Sequence, residues 1–448
     1  MKRPALPPPI AETLVELLST PSGIVRFTTL TAAQLGAAPG GKYRHWDTFR
    51  HAPPLAGFTV QEQWAAVKLA RQALYRQLPL SDMKGRPFKF ALPNPALEML
   101  LQVDRYAGGS IQGSEQVTDP ATRDTYLFKS IVEEAITSSQ LEGASTTRKV
   151  AKAMIQEGRN PKDRSERMIL NNYEAMRYVR TFVDAPLTPA IVFQLQRLLT
   201  AGTLDIADGD GRFRRDDEDI VIEDETGQRL HTPPSAHELD ARLSAMCDFA
   251  NGVTGGEFIP PAVRAIILHF WLAYDHPFVD GNGRTARALF YWAMARQGYW
   301  LCEFVSISRI LRKARGQYAR SYLYTETDDN DLTYFILYQL RVLLRAIEDL
   351  HAYLAKKTAE LRAADDLVRH AAALSEALNV RQLALINHAL KQPQARYTVE
   401  SHRVSHAISY ETARSDLLKL ASEGLLEKRK RGRAFVFVPA GDLKQRLS

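Results

Sequence analysis

The chain has 448 residues, 45% hydrophobic and 24% charged, with a net charge of +7, which is ordinary for a globular protein long enough for two or three domains with full cores. Its two cysteines, Cys247 and Cys302, exclude a disulfide framework or a cysteine zinc cluster and fit a reducing compartment. The N-terminus, Met1 to Pro9, has basic residues with no apolar core behind them, and no apolar run approaches the roughly 20 residues that span a bilayer, so the expectation is a cytoplasmic protein with no membrane partner.

Residues 1–115 read as one mostly helical region. Val60, Trp64, Val67, Ala70 and Leu74 recur at steps of three and four, predicting an amphipathic helix over 58–77. Pro87, Pro93 and Pro95 punctuate a loop-like remainder. Tyr43, Trp46 and Phe49 are read as packing residues rather than a recognition surface. Gly108, Gly109 and Gly113 mark a flexible junction. No chemistry is legible here.

The next helix carries Leu127, Ile131, Ala135 and Ser138 on one face and is expected to reach Leu141, with Gly143 as its terminator. Two more helices follow, over 168–183 and 189–199, separated by Pro186 and Pro189. Ile220-Val221-Ile222 and Leu230-His231-Thr232 are short extended runs on either side of Glu225-Thr226-Gly227, which predicts a β-hairpin. Helices over 236–251 and 261–275 lead into the most informative stretch.

That stretch is His276-Pro277-Phe278-Val279-Asp280-Gly281-Asn282-Gly283-Arg284-Thr285-Ala286-Arg287. Apolar helical patterns run into it and out of it. Pro277 stops the first helix, because proline lacks an amide donor and restricts the residue before it. A glycine-rich turn opening the second helix aims backbone amides outward, with the positive end of the helix dipole behind them. That arrangement suits phosphate. Arg284 and Arg287, three apart, flank one face of the first turn and offer two guanidinium forks. Asp280 sits where a carboxylate holds a magnesium ion beside phosphates. His276, at the end of the preceding helix, is placed to take a proton. Together these parts predict a nucleotide-transfer site. His269, seven residues earlier, is read as a core histidine rather than a metal ligand. Asp275 is expected to face solvent.

Beyond the next helix, Ile336, Leu340, Leu343, Ile347, Leu350 and Leu354 form a heptad seam in a helix expected over 331–373. It serves either as packing within the chain, the favoured reading, or as a homodimer contact. Residues 376–448 change character: helices over 380–390, 397–407 and 410–422, the last capped by Ser409, then a strand from Leu425-Leu426 and a return strand over 434–438. Three helices and a two-stranded wing resemble a winged helix-turn-helix. Tyr410, Thr412, Arg414 and Ser415 would open the recognition helix. Lys428, Arg429, Lys430, Arg431 and Arg433 would form a basic wing suited to DNA phosphates, with protein binding as the alternative.

The pattern His-Pro-Phe-x-Asp-Gly-Asn-Gly-Arg-x-x-Arg, present in full from His276 to Arg287, resembles the signature of Fic-domain proteins. The resemblance implies a mainly α fold, a helical bundle with a β-hairpin flap, and transfer of AMP from ATP to a hydroxyl side chain of a protein target. Position by position, His276 would be the general base and Phe278 the anchor of the loop. Asp280 would bind Mg²⁺, and Gly281, Asn282 and Gly283 would cradle the α- and β-phosphates. Arg284 would hold the β-phosphate and Arg287 the γ-phosphate. Ser138 to Gly143 resembles the family's inhibitory motif, in which Glu142 takes Arg287 away from the γ-phosphate. Ile220, Val221, Ile222, Leu230, His231 and Thr232 would be the flap that docks the target by strand addition. The expected domains are 1–115, a Fic domain with its inhibitory helix at 116–330, a connecting helix at 331–375 and the winged domain at 376–448. The function expected is an autoinhibited protein adenylyltransferase. The alternatives are transfer of UMP, removal of AMP as a second activity, and a DNA-binding regulator whose core only senses nucleotide.

Overall fold

The structure, a computed structural model, describes residues 2–33, 35–108, 120–206, 208–224, 226–253, 256–370, 378–431 and 434–446. Gly109 and Gly113 of the expected junction, the turn residue Glu225, the end of the long helix at Ala373, and Gly432 and Arg433 at the wing tip lie outside the described residues. The chain separates into two compact units. One comprises Met1–Gly109, Glu133–Thr146 and Pro161–Ile347; the other comprises Ser110–Val132, Thr147–Asn160 and Glu348–Ser448. This partition runs differently from the four segments expected from the sequence, because two long helices each contribute to both units.

The first unit opens with helices α1 (Ile10–Leu18), α2 (Pro21–Ala32), α3 (Trp46–Phe49) and α4 (Val60–Gln72). Thr59 and Glu62 close a capping box that starts α4, and Trp46 and Phe49 pack against Trp64. The expected helix over 58–77 stops early. Its last residues enter a strand instead, β1 (Arg76–Ser81), which pairs antiparallel with β2 (Pro87–Phe90) across a turn bound by Asp82. The proline spacing concealed this hairpin, since Pro87 begins an edge strand, a position that needs no amide donor.

Helix α5 (Asn94–Val103) precedes α6 (Pro120–Leu141), and α7 (Arg148–Glu157), unforeseen from the sequence, belongs to the second unit. Then come α8 (Arg164–Thr181) and α9 (Pro189–Thr200), each started by a side-chain cap, Asp163 and Thr188. The hairpin of β3 (Ile222–Glu223) and β4 (Arg229–His231) is shorter than expected. Its register is Ile222 to His231 and Glu223 to Arg229, with an irregularity between them. Ile220, Val221 and Thr232 lie outside the paired ladder. Pairing stops at Ile222 and His231 on the side away from the loop. At the loop itself the Asp224 carboxylate accepts from the amides of Thr226 and Gln228, and the Asp224 amide donates to the Gln228 carbonyl at 3.0 Å.

Helix α10 (Leu239–Asn251) leads to the centre of the unit, the antiparallel pair α11 (Pro261–Asp275) and α12 (Asn282–Arg296). From Ala262 to Leu272, α11 is buried at every position but Arg264, and α12 is nearly as enclosed. Such an all-round apolar helix is stable only inside a core. Helices α13 (Ile307–Lys313), α14 (Arg315–Thr327) and α15 (Thr333–His370) complete it. The seam residues Ile336, Leu340, Leu343, Ile347, Leu350 and Leu354 are all buried within the chain. His269 is fully buried with Nε2 2.8 Å from the Tyr318 hydroxyl, a core histidine.

In the second unit, α16 (Val380–Lys391), α17 (Val399–His406) and α18 (Tyr410–Ser422) follow the expected order. The Ser409 hydroxyl accepts from the Thr412 amide at 3.1 Å. Strands β5 (Leu426–Arg431) and β6 (Ala434–Pro439) pair in continuous antiparallel register, and Tyr397 bridges to Phe437. Ile386, Leu417, Leu420, Leu426 and Phe437 make the core of this part.

Candidate active site

The turn between α11 and α12 is held from within. The Asn282 side chain accepts from the Phe278 amide at 2.9 Å and donates to the Phe278 carbonyl at 2.7 Å. Asn282 thus staples the turn, so its side chain is structural. Phe278 is fully buried, with its ring among those of Phe193 and Phe213. Gly281 takes φ 85°, and a Cβ there would press on Thr200, so glycine is required on both grounds. Gln196, which no local pattern singles out, donates to the Asp280 carbonyl at 3.2 Å and accepts from the Gly211 amide at 2.6 Å. It ties the turn to the segment before the hairpin.

His276 ends α11 in the left-handed region, φ 45° and ψ 56°. An L-residue adopts this only when its surroundings impose it. The backbone is gripped by Arg214, whose Nε donates to the His276 carbonyl at 2.8 Å and whose amide donates to the Pro277 carbonyl at 2.9 Å. Imidazole Nδ1 is 3.4 Å from the Ala273 carbonyl. A carbonyl only accepts, so the proton belongs on Nδ1 and Nε2 keeps its lone pair. Burial lowers the His276 pKa to about 4, so the ring is neutral at pH 7 and ready to accept a proton.

Asp275 does not face solvent as expected. It is buried, accepting from Arg242 Nε at 2.8 Å and Trp271 Nε1 at 3.0 Å. Its carboxylate points into the core and away from a role as partner to the His276 ring.

The first turn of α12 carries the basic groups. Its opening amides have no intrahelical partners, as at any helix N-terminus. Arg284 is fully buried; it donates to the Leu199 carbonyl at 2.7 Å and to Asp280 Oδ2 at 3.1 Å, and its Nε has no partner among the described residues. Asp280 remains about a third exposed. Arg287 is buried as well, with Nε donating to Ser138 Oγ at 2.8 Å and Nη2 to the Ser138 carbonyl at 3.1 Å and Glu142 Oε1 at 2.8 Å.

Glu142 follows α6 by one residue. The chain turns there through Gly143 at φ 97°, with the Ala144 amide donating to the Ser139 carbonyl at 3.0 Å. Arg315 donates to the Gln140 carbonyl, and Ser139 donates to the Met168 carbonyl at 3.1 Å, so this helix end is fixed on two sides. A Cβ added to Gly283 would collide with the Glu142 carboxylate, so the carboxylate lies directly over the amide-rich turn. Burial pushes the Glu142 pKa up, but Arg287 and Arg284 outweigh it and the pKa falls below the ordinary value. The group is an anion resting on a helix N-terminus flanked by two guanidinium groups. Two helical turns back, Glu134 is buried and accepts from Tyr291 and Ser306, fastening α6 to α12 and the 306–308 segment. Nothing in the sequence distinguished Glu134 from a surface glutamate.

His276, Asp280, Gly281, Gly283, Arg284, Arg287, Ser138 and Glu142 are thus gathered at one place. The hairpin residues divide. The side chains of Leu230 and His231 are buried, and His231 is bonded to Glu326 and to the Tyr274 carbonyl, while Thr226 to Arg229 are exposed.

Residues 186–294 match the Fic/DOC family. The chain is 29% identical over 128 residues to the protein named Protein adenylyltransferase Fic in Nematostella vectensis, covering 29% of this chain and 27% of that one. It is 26% identical over 201 residues to the protein of the same name in Drosophila willistoni, covering 44% and 38%. It is 41% identical over 68 residues to Protein adenylyltransferase fic-1 of Caenorhabditis elegans, covering 15% and 13%. The chain therefore spans well under half the length of these curated relatives. Among solved structures it is similar to a Fic family protein from Desulfovibrio desulfuricans, with a TM-score of 0.46 at 18% identity over 77% of this chain and 94% of that one. It is also similar to Fic-1 of C. elegans, with a TM-score of 0.44 at 21% identity over 59% and 73%.

Proposed function

We propose that the Fic domain of this chain transfers AMP from ATP to a hydroxyl side chain of a protein, itself included, and that Glu142 holds the transfer in check. The domain assignment rests on the match over 186–294 and on relatives named adenylyltransferases. The observation that carries the regulatory part is the 2.8 Å contact between Glu142 Oε1 and Arg287, with the carboxylate over Gly283.

The phosphates of ATP take the amides of Gly281 to Arg284 and the two guanidinium groups. Asp280 is a partly exposed carboxylate beside them. One carboxylate plus substrate phosphates is a usual way to hold magnesium, so this residue fits Mg²⁺. When bound, the ion spreads the negative charge of the phosphates. His276 Nε2 accepts the proton of the target hydroxyl. The hydroxyl oxygen forms a bond to the α-phosphorus, the bond from that phosphorus to the bridging oxygen breaks, and pyrophosphate leaves. With Glu142 in place, Arg287 is occupied and a negative charge stands where the γ-phosphate would lie. ATP is then turned away from the geometry of attack.

The anion turn reads phosphates rather than a base, so UMP transfer is the alternative within this chemistry. Offering the Glu142→Gly variant α-labelled ATP, UTP, GTP and CTP in turn decides between them. Adenylyl mass on the protein from ATP alone supports the reading; uridylyl mass in preference overturns it. AMP removal by Glu142 is tested by following loss of label from modified protein with and without that side chain.

A second reading concerns the C-terminal part. A capped third helix beside a continuous hairpin bearing Lys428, Arg429 and Lys430 supports duplex DNA binding, which would add a DNA-linked regulatory role to the enzyme. Alanine at these three positions is expected to reduce the slope of log affinity against log salt by about 2 to 3 units. Equal slopes would favour a protein partner.

A further inference from the structure

His231 sits on β4, and each of its ring nitrogens faces an acceptor. Nδ1 is 2.9 Å from Glu326 Oε2, and Nε2 is 2.8 Å from the Tyr274 carbonyl. A neutral imidazole carries a single N–H, so it satisfies one of these partners and sets a lone pair against the other. Only the doubly protonated ring donates to both. The geometry therefore describes an imidazolium.

Its place in the fold gives that charge a task. Helix α11 ends at Asp275, and its last carbonyls lack intrahelical donors. A cation at a helix C-terminus satisfies such groups and complements the dipole. Two cations do so here. His231 takes the Tyr274 carbonyl from the hairpin, and Arg214 takes the His276 carbonyl from the segment before it. Between them lies His276, in a backbone conformation that has to be imposed. The His231 ring also lies against the Tyr274 ring, with centroids 4.6 Å apart.

We propose that His231 is a positioning residue for the transfer reaction: as an imidazolium held between Glu326 and the end of α11, it fixes the backbone that presents His276. The proposal deepens the adenylyltransferase reading and rests on it.

The charged and titratable groups around His231 are Glu326 from α14 and Tyr274, Asp275 and His276 from α11. Arg242 from α10 pairs with Asp275, and Arg214 lies at the His276 carbonyl. Burial pushes the His231 pKa down, but the bond to Glu326, its charge and the Tyr274 carbonyl outweigh this, and the pKa is raised above the ordinary 6.5. The contribution of His231 is therefore fully present below that ordinary value and is lost as pH rises through the raised one. Its positive charge adds to burial in keeping His276 unprotonated. Two limbs in the rate follow: an acid limb belonging to His276 and an alkaline limb belonging to His231.

The test measures AMP transfer by the Glu142→Gly variant from about pH 5 to about pH 9, with and without His231→Gln. The expected result is an alkaline decline that disappears in His231→Gln, with kcat about tenfold lower at neutral pH and KM for ATP little changed. Glu326→Gln, which keeps the histidine, is expected to move the alkaline limb to lower pH. Imidazole ¹⁵N NMR supplies a readout independent of activity: both nitrogens of His231 should be protonated at neutral pH. A neutral single tautomer there, or an unchanged pH profile in His231→Gln, overturns the proposal. If the Glu142→Gly variant transfers no nucleotide at any pH, the functional reading fails, and the positioning role for transfer is overturned with it even where NMR finds the imidazolium.

Discussion

The turn from His276 to Arg287 and the hairpin from Ile220 to Thr232 both meet the end of α11 and are held in different ways. The turn is fastened many times over: Asn282 staples Phe278, Asp280 meets Arg284, Gln196 and Arg214 grip its backbone, and the Phe278 ring is fully buried. The hairpin has strands of two and three residues, an irregular register and an exposed tip. Its firm attachment is the clamp at His231. The proposed chemistry, which needs atoms fixed to within a fraction of an ångström, falls on the multiply fastened piece. The piece proposed to meet a protein segment keeps a short, open ladder.

The largest effect that sharpens this contrast is at the base. His276→Ala is expected to lower transfer about 10²- to 10⁴-fold while ATP affinity stays within about twofold, because amides and arginines, not the imidazole, are proposed to hold the phosphates. Calorimetric titration beside a labelling assay separates the two. Lost ATP affinity would show that the histidine shapes the site rather than acting in it.

Next comes the anchor. Phe278→Ala removes a fully buried ring and is expected to cost about 3 to 5 kcal/mol of stability, read from denaturant unfolding. The hairpin should be far more tolerant. Ile222→Pro removes one ladder donor at an edge, and a cost within about 1 kcal/mol is expected, with self-modification in the Glu142→Gly background falling several-fold. A loss as large as that of Phe278→Ala would erase the distinction between the two pieces.

The same contrast explains what the sequence made legible. The turn could be read because its parts are neighbours in the chain, each with a local reason: proline to stop a helix, glycine for positive φ, arginines three apart. Helices α8 to α12 and α16 to α18 followed from periodicity and caps. The hairpin strands were placed a residue too far from the loop: the ladder takes in Glu223 and Arg229 and leaves out Ile220, Val221 and Thr232. Strands β1 and β2 were hidden behind prolines. Glu134, Gln196 and Arg214 could not be assigned, because their partners lie tens to hundreds of residues away, and Asp275 was placed in solvent because its ion-pair partner Arg242 is 33 positions upstream. The link from Glu142 to Arg287 was legible only through family resemblance, as 145 positions separate them.

The most direct test of the central claim is the rate of self-modification with α-labelled ATP in wild type, in Glu142→Gly, and in Glu142→Gly combined with Arg287→Ala. A carboxylate that occupies a phosphate's arginine and repels the phosphate is worth a few kcal/mol when partly desolvated, so Glu142→Gly should raise the rate roughly ten- to a thousandfold. The added Arg287→Ala should cancel that gain, since both changes act through one phosphate contact. Equal rates in wild type and Glu142→Gly would contradict the account and leave Ser138 to Gly143 an ordinary helix end.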